Sequence, residues 1–290
     1  MTTSFQRRTA LAGALFTLCA ISIGASAAGP SFTFSTGNAD GLMGMASRPS
    51  GAGGIEIEAA DDFILAQQTR ITNASFYGLL PSGVTAADVA GIRLEIYKVF
   101  PGDSNDPPSG RVPTRVNSPA DVALSERQGA DLSFTSALIN ANYTVANSVV
   151  NGINPLPNVK TGGEGAVSGS EVRFDVALNN AIDLDAGHYF FIPQVDLGTK
   201  GSFLWLSAAK PIVGGTGPFV GDLQAWIRNE NLAPDWLRVG TDIVGAGAFN
   251  GAFSLAGEVQ AVPEPQTYAL MLAGLAVVGG LARRRSRPNV

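Results

Sequence analysis

Between residues 29 and 261 apolar and polar residues alternate, and no stretch keeps a sustained period of 3.6 residues. No other feature of the chain limits its fold as much. In GIRLEIYKVF (residues 91–100), Ile92, Leu94 and Ile96 fall on one side and Arg93, Glu95 and Tyr97 on the other. Val172, Phe174 and Val176 repeat the arrangement in EVRFDVA. Successive side chains of a strand point to opposite faces, so this alternation marks strands with one buried face. The richer runs GHYFFIPQV (187–195) and SFLWLS (202–207) read as strands buried on both faces. Further strands are expected at residues 31–36, 62–65, 71–80, 132–145, 224–228 and 252–259. Turn clusters at 101–110, 151–157, 161–165 and 214–218 separate them. A short helix fits residues 86–90, capped by Thr85 with Asp88 in its first turn. Ten or more short strands without helical crossovers predict an all-β sandwich of the jelly-roll or immunoglobulin-like kind, forming one body over residues 29–261.

Charge is distributed unevenly. Residues 29–265 carry 13 basic against 24 acidic side chains, a formal −11, whereas the whole chain of 290 residues sums to −5. An acidic body without a basic patch excludes the nucleic-acid binders. It suits a secreted protein kept soluble by self-repulsion, or one that meets divalent cations. The missing basic residues lie at the ends. Residues 1–28 carry Arg7 and Arg8 near the start, continue with an apolar core of 14 residues from Ala10 to Ile23, and finish on Ala25-Ser26-Ala27. These are the three parts of a secretory signal peptide. The arginine pair also fits the twin-arginine route, and the Sec translocon is the favoured one. The only cysteine, Cys19, lies inside this segment, so a body freed of it has no disulfide and no thiolate chemistry.

Few residues of the body carry a chemical signature. His188 is the only histidine, which excludes multi-histidine metal sites; it reads as a half-buried strand residue. No nucleophile elbow, phosphate loop, zinc-protease or EF-hand motif is present. GTKGS (198–202) reads as a hairpin turn. Asp103, Asn105 and Asp106 gather hard oxygen donors that suit Ca²⁺, and the same residues serve any tight turn. Glu56 and Glu58 read as a solvated strand face, with Asp61 and Asp62 in a turn. The segment LQAWIRNENLAPDWLR interleaves Trp226 and Trp236 with polar residues, and exposed aromatic rings there would stack on sugars of an extracellular polysaccharide; as core anchors they would not. Glu230 and Asp235 are the carboxylate pair that a glycosidase would draw on. No catalytic residue and no resident cofactor is expected.

The carboxyl end, residues 262–290, is more explicit. Pro263-Glu264-Pro265 precedes 15 apolar residues from Tyr268 to Ala282, followed by Arg283, Arg284, Arg285 and Arg287. As a helix the apolar run measures about 22 Å, short of the roughly 30 Å hydrocarbon core, although flanking arginines can snorkel. The basic stop places the arginines in the cytoplasm and the acidic body outside the cytoplasmic membrane. This order of turn, transmembrane helix and basic tail resembles the PEP-CTERM protein-sorting signal of Gram-negative bacteria. The resemblance implies recognition at Pro263, Glu264 and Pro265 by an exosortase, a cut near or just after that motif, and a body released or held at the surface alongside exopolysaccharide. A stable C-terminal anchor fits the same residues. The body also resembles secreted bacterial proteins of unassigned function that carry VPTRVNSP (112–119) and INPLPN (153–158). The chain is thus expected to be a non-enzymatic, exported surface or matrix protein, with a carbohydrate-binding module as the alternative.

Overall fold

The computed structural model describes residues 29–51, 53–100, 110–154, 156, 159–213, 221–260 and 265–285. The leader at 1–28 therefore lies outside the described residues. Fourteen strands are described: β1 (Ser31–Ser35), β2 (Ala39–Ala46), β3 (Ile57–Leu65), β4 (Thr69–Pro81), β5 (Gly91–Lys98), β6 (Ser125–Gln128), β7 (Leu132–Val145), β8 (Asn147–Val149), β9 (Val167–Leu184), β10 (Gly187–Asp196), β11 (Leu204–Ala208), β12 (Trp226–Asn229), β13 (Leu237–Arg238) and β14 (Phe253–Val259). One helix, α1 (Pro265–Arg285), follows.

The strands form two sheets, as the alternation predicts. The first has eight strands. In it β4 carries β9 along one edge and β14 followed by β11 along the other; β1 closes on β14, β2 and β8 extend from β11, and β7 pairs with β9. The second has six, in the order β13-β12-β3-β10-β5-β6. Every pairing is antiparallel except β2 with β8. The sheets pack face to face through aromatic rings: Phe191 of β10 stacks on Phe253 of β14 at 5.0 Å, and Phe76 of β4 meets Phe191, Phe174 and Phe203. Trp205 is fully buried, and its indole N–H donates to the Ala252 carbonyl at 3.1 Å, so burial leaves no polar atom orphaned. This centre has no room to spare. A Cβ on Gly78, which pairs with Trp205, would lie 1.8 Å from the Phe203 ring.

Three expectations are corrected. Glu58, Asp61 and Asp62 are not a solvated face and a turn: all three sit inside β3 and are buried. Their strand runs through the middle of the six-stranded sheet, and ladder pairing overrides the turn propensity of Asp. GTKGS is not a hairpin, because β10 and β11 belong to different sheets; the turn carries the chain from one sheet to the other. The short helix is a single 3₁₀ turn, Ala86–Asp88, where Asp88 accepts from the Thr85 amide at 2.8 Å and from its hydroxyl at 2.9 Å. The helix α1 is present, but among the described residues no helix is long and apolar enough to cross a membrane.

Candidate functional site

The two sheets present very different outer faces. On the six-stranded sheet, every second residue of β3, β10, β5 and β12 points away from the core. These positions include Glu58, Asp62, His188, Gln194, Glu95, Tyr97 and Arg228, and most are themselves buried. Arg228 donates through Nε to Glu58 and through Nη2 to the Tyr97 hydroxyl at 2.9 Å, while that hydroxyl donates to Glu58 Oε1 at 2.8 Å. The guanidinium lies 4.3 Å over the Trp236 ring. Burial and the Glu58 charge push the Tyr97 hydroxyl well above its usual range. Burial, then the charges of Glu58 and Glu56, push Glu95 up to about 8. Nearby, Asp62 accepts from the Leu223 amide at 2.8 Å and meets His188 Nε2 at 2.5 Å; burial raises it to about 6 against the His188 contact. Asp61 faces the core, accepts from the Gly251 amide at 2.9 Å, and is held well above the usual carboxylate range by burial and by Asp62. Arg228, Glu58 and Tyr97 partner one another, as do Asp62 and His188, whereas Glu95 Oε2 and Asp61 Oδ1 are buried without a hydrogen-bond partner.

Trp226 and Trp236 belong to this buried layer. They are 2% and 0% exposed, packed with Tyr97, Phe190 and Ile192, and the Trp236 indole donates to the Ala120 carbonyl. Neither ring offers a face to a sugar, so their segment is not an aromatic platform. The reason is register: Trp226 pairs with Arg238 and Ala60 in a central ladder, and chain segments around Ala123 and Leu223 cover it. Asp235 is buried beside Arg115, whose Nε lies 3.4 Å from its Oδ1, whereas Glu230 is exposed; the two carboxylates share no cleft. His188 is a half-buried strand residue of β10, as expected, with its ring turned onto Asp62. Asp103, Asn105 and Asp106 lie outside the described residues. Among the described residues no group of three or more His, Cys, Asp or Glu side chains is arranged to hold a metal.

The eight-stranded sheet instead carries an open trough of roughly 630 Å³ across β1, β14, β4, β9 and β7. Register lays its floor in two cross-strand rows. One row is Ser35, Ser254, Ser75, Asp175, Thr135; the next is Thr33, Ala256, Asn73, Ala177, Ser133. The Ser75 and Ser254 hydroxyls bond each other at 2.7 Å. Beyond the rows the side chains lengthen: Glu258, Arg70 and Asp183 on one side, Tyr77 and Arg173 on the other. Small residues between long ones make the depression. Arg173 is bound to Asp175 at 2.9 Å and Arg70 to Asp183 at 2.8 Å, so both of these rim cations already have a counter-charge. Sequence reasoning passed over this floor because no single strand shows it. The available signal is that five strands each carry two consecutive outward positions occupied only by Ser, Thr, Asn, Asp or Ala.

The remaining candidate residues are at the carboxyl end. Pro265 opens α1 and Arg283, Arg284 and Arg285 close it, while Pro263, Glu264 and Arg287 lie outside the described residues. By fold, then, this is an all-β protein of two packed sheets with a helical tail. Residues 261–286 match the PEP-CTERM protein-sorting motif. The tail is therefore a sorting signal of that kind, which implies an exported protein with a C-terminal membrane-anchor signal and exosortase-dependent processing. No curated protein and no solved structure matches the chain.

Proposed function

We propose that the chain is a non-enzymatic protein of the cell surface or extracellular matrix. Its leader carries it through the Sec translocon, its tail holds it briefly at the cytoplasmic membrane, and an exosortase then removes the tail beside Pro263, Glu264 and Pro265. The match of residues 261–286 to the sorting motif carries this reading. The helix supports a transient hold over a permanent one, because an apolar run of about 22 Å under-spans the hydrocarbon core. A non-catalytic body is supported by the shifted carboxylates Asp61, Asp62 and Glu95, which are buried and do not line the trough. Mass spectrometry of protein recovered from the surface and medium of the native host tests the reading: the expected mass lacks α1, and replacing Glu264 by Ala leaves the tail in place. Processing that is indifferent to Glu264→Ala would argue against the assignment of the recognition motif.

A second reading, carbohydrate binding in an exopolysaccharide matrix, is favoured by one observation, the hydroxyl-lined trough, and no longer involves the tryptophans. Calcium at Asp103, Asn105 and Asp106 belongs to the same reading. Titration of the purified protein with Ca²⁺ after treatment with chelator is expected to raise the melting temperature, and Asp103→Asn with Asp106→Asn to remove that rise.

A further inference from the structure

We infer that the trough across β1, β14, β4, β9 and β7 is a binding site for an extended, uncharged polysaccharide chain lying crosswise to the strands. The inference rests on the extracellular placement proposed above and gives the matrix reading a site and a ligand class. Orientation comes first. Five strands at about 4.8 Å spacing give two parallel rows about 19 Å long, separated by one two-residue step of about 7 Å. That floor suits a chain, which the open ends let pass, better than a compact ligand, which would need enclosure. Next comes chemistry. The floor is the face of a sheet; the backbone N–H and C=O groups of β14, β4 and β9 are consumed in ladders on both sides, and those left over on β1 and β7 point outward along the sheet edges and not into the floor. An extended peptide recognises a sheet by adding to an edge, where those groups are free, and gains nothing of that kind here. Recognition falls to the side chains. Ser35, Ser75, Ser254, Thr33, Thr135 and Ser133 each both donate and accept, the same dual capacity that a sugar hydroxyl has. Ala256 and Ala177 offer small apolar patches between them for sugar C–H surface. Charge settles the class of glycan. The lining contains no Lys or Arg, Asp175 brings a negative charge, and Arg173 is committed to it. An anionic polymer would meet no counter-charge on the floor and an acidic body around it.

The test is native gel electrophoresis of the full-length chain, purified in a mild non-ionic detergent, through gels containing hydroxyethylcellulose, dextran or xylan, with alginate as the anionic comparison. Migration is expected to slow in at least one neutral glycan and not in alginate. Ser75→Trp, which fills the floor at its centre, is expected to weaken the effect at least tenfold. Thr33→Ala with Thr135→Ala removes hydroxyls without adding bulk, and is expected to weaken it several-fold even if Ser75→Trp misfolds by circular dichroism. Unchanged migration in all neutral glycans, stronger slowing in alginate, or slowing untouched by folded trough variants would overturn the proposal. So would a dimer in light scattering that Ser75→Trp dissociates without any glycan effect, which would give the trough to a second copy. Normal removal of the tail in cells that produce the trough variants separates this outcome from failure of the sorting assignment.

Discussion

Arg228 holds three buried side-chain partners at once. Among the described residues it is the one cation paired with Glu58, it also donates to Tyr97, and it stacks on Trp236. Removing one member of a buried ion pair leaves the other charge unsolvated, which costs about 3–5 kcal/mol. Arg228→Ala is therefore expected to lower stability by that order in urea unfolding. Trp226→Ala and Trp236→Ala, as large-to-small changes at buried sites, should each cost about 3–5 kcal/mol. If either tryptophan variant kept wild-type stability while losing a ligand, the buried assignment would fail. Glu95 gives a pH-dependent prediction. Its ordinary value is 4.5 and the fold raises it to about 8, chiefly through burial. Between those values the folded state holds a proton that the unfolded chain has released, so stability falls as pH rises across the window. Asp61 and Asp62 act in the same direction, with Asp62 near 6. The melting temperature should decline from pH 5 to pH 8, and Glu95→Gln should flatten the decline across that whole range, leaving the share due to Asp61 and Asp62. An equally steep profile in Glu95→Gln would contradict this.

Among the elements, legibility in the sequence followed how local each signal was. β7 was expected at residues 132–145 and is Leu132–Val145, and β10 and β14 fall within a residue of expectation, because alternation and flanking turns specify a strand from its own residues. β2 (ADGLMGMA) was missed: two glycines interrupt its apolar pattern, and it is held by pairing with β11, 160 residues away. β3 was half found. Its Glu and Asp residues suppress the strand signal, and their burial depends on Arg228, His188 and Tyr97, which arrive from β12, β10 and β5. The trough was illegible for the same reason, since each row draws one residue from each of five strands. Gly78 tests the element-scale account. Gly78→Ala puts a methyl into the space of the Phe203 ring and is expected to cost about 1–3 kcal/mol through overpacking. A neutral effect in thermal melts would mean that β4 and β11 are not packed as described.

For the molecule as a whole, the two ends carry information of a different kind from the body. A sorting signal is read by a protein partner as a linear order of turn, apolar helix and basic stop, so the sequence alone displays it; the match over residues 261–286 agrees with that order. A binding face exists only after folding brings distant strands into register, and the sequence of the body gave no direct view of it. The same division shapes the account of function. In the proposed reading the acidic, all-β body stays soluble once released, and α1 holds it only until release. The most direct measurement is the intact mass of the protein recovered from the outside of its own cells. The account predicts a species that begins near residue 29 and ends beside Pro263-Glu264-Pro265, without α1. Recovered protein that still ends at Val290 would contradict it.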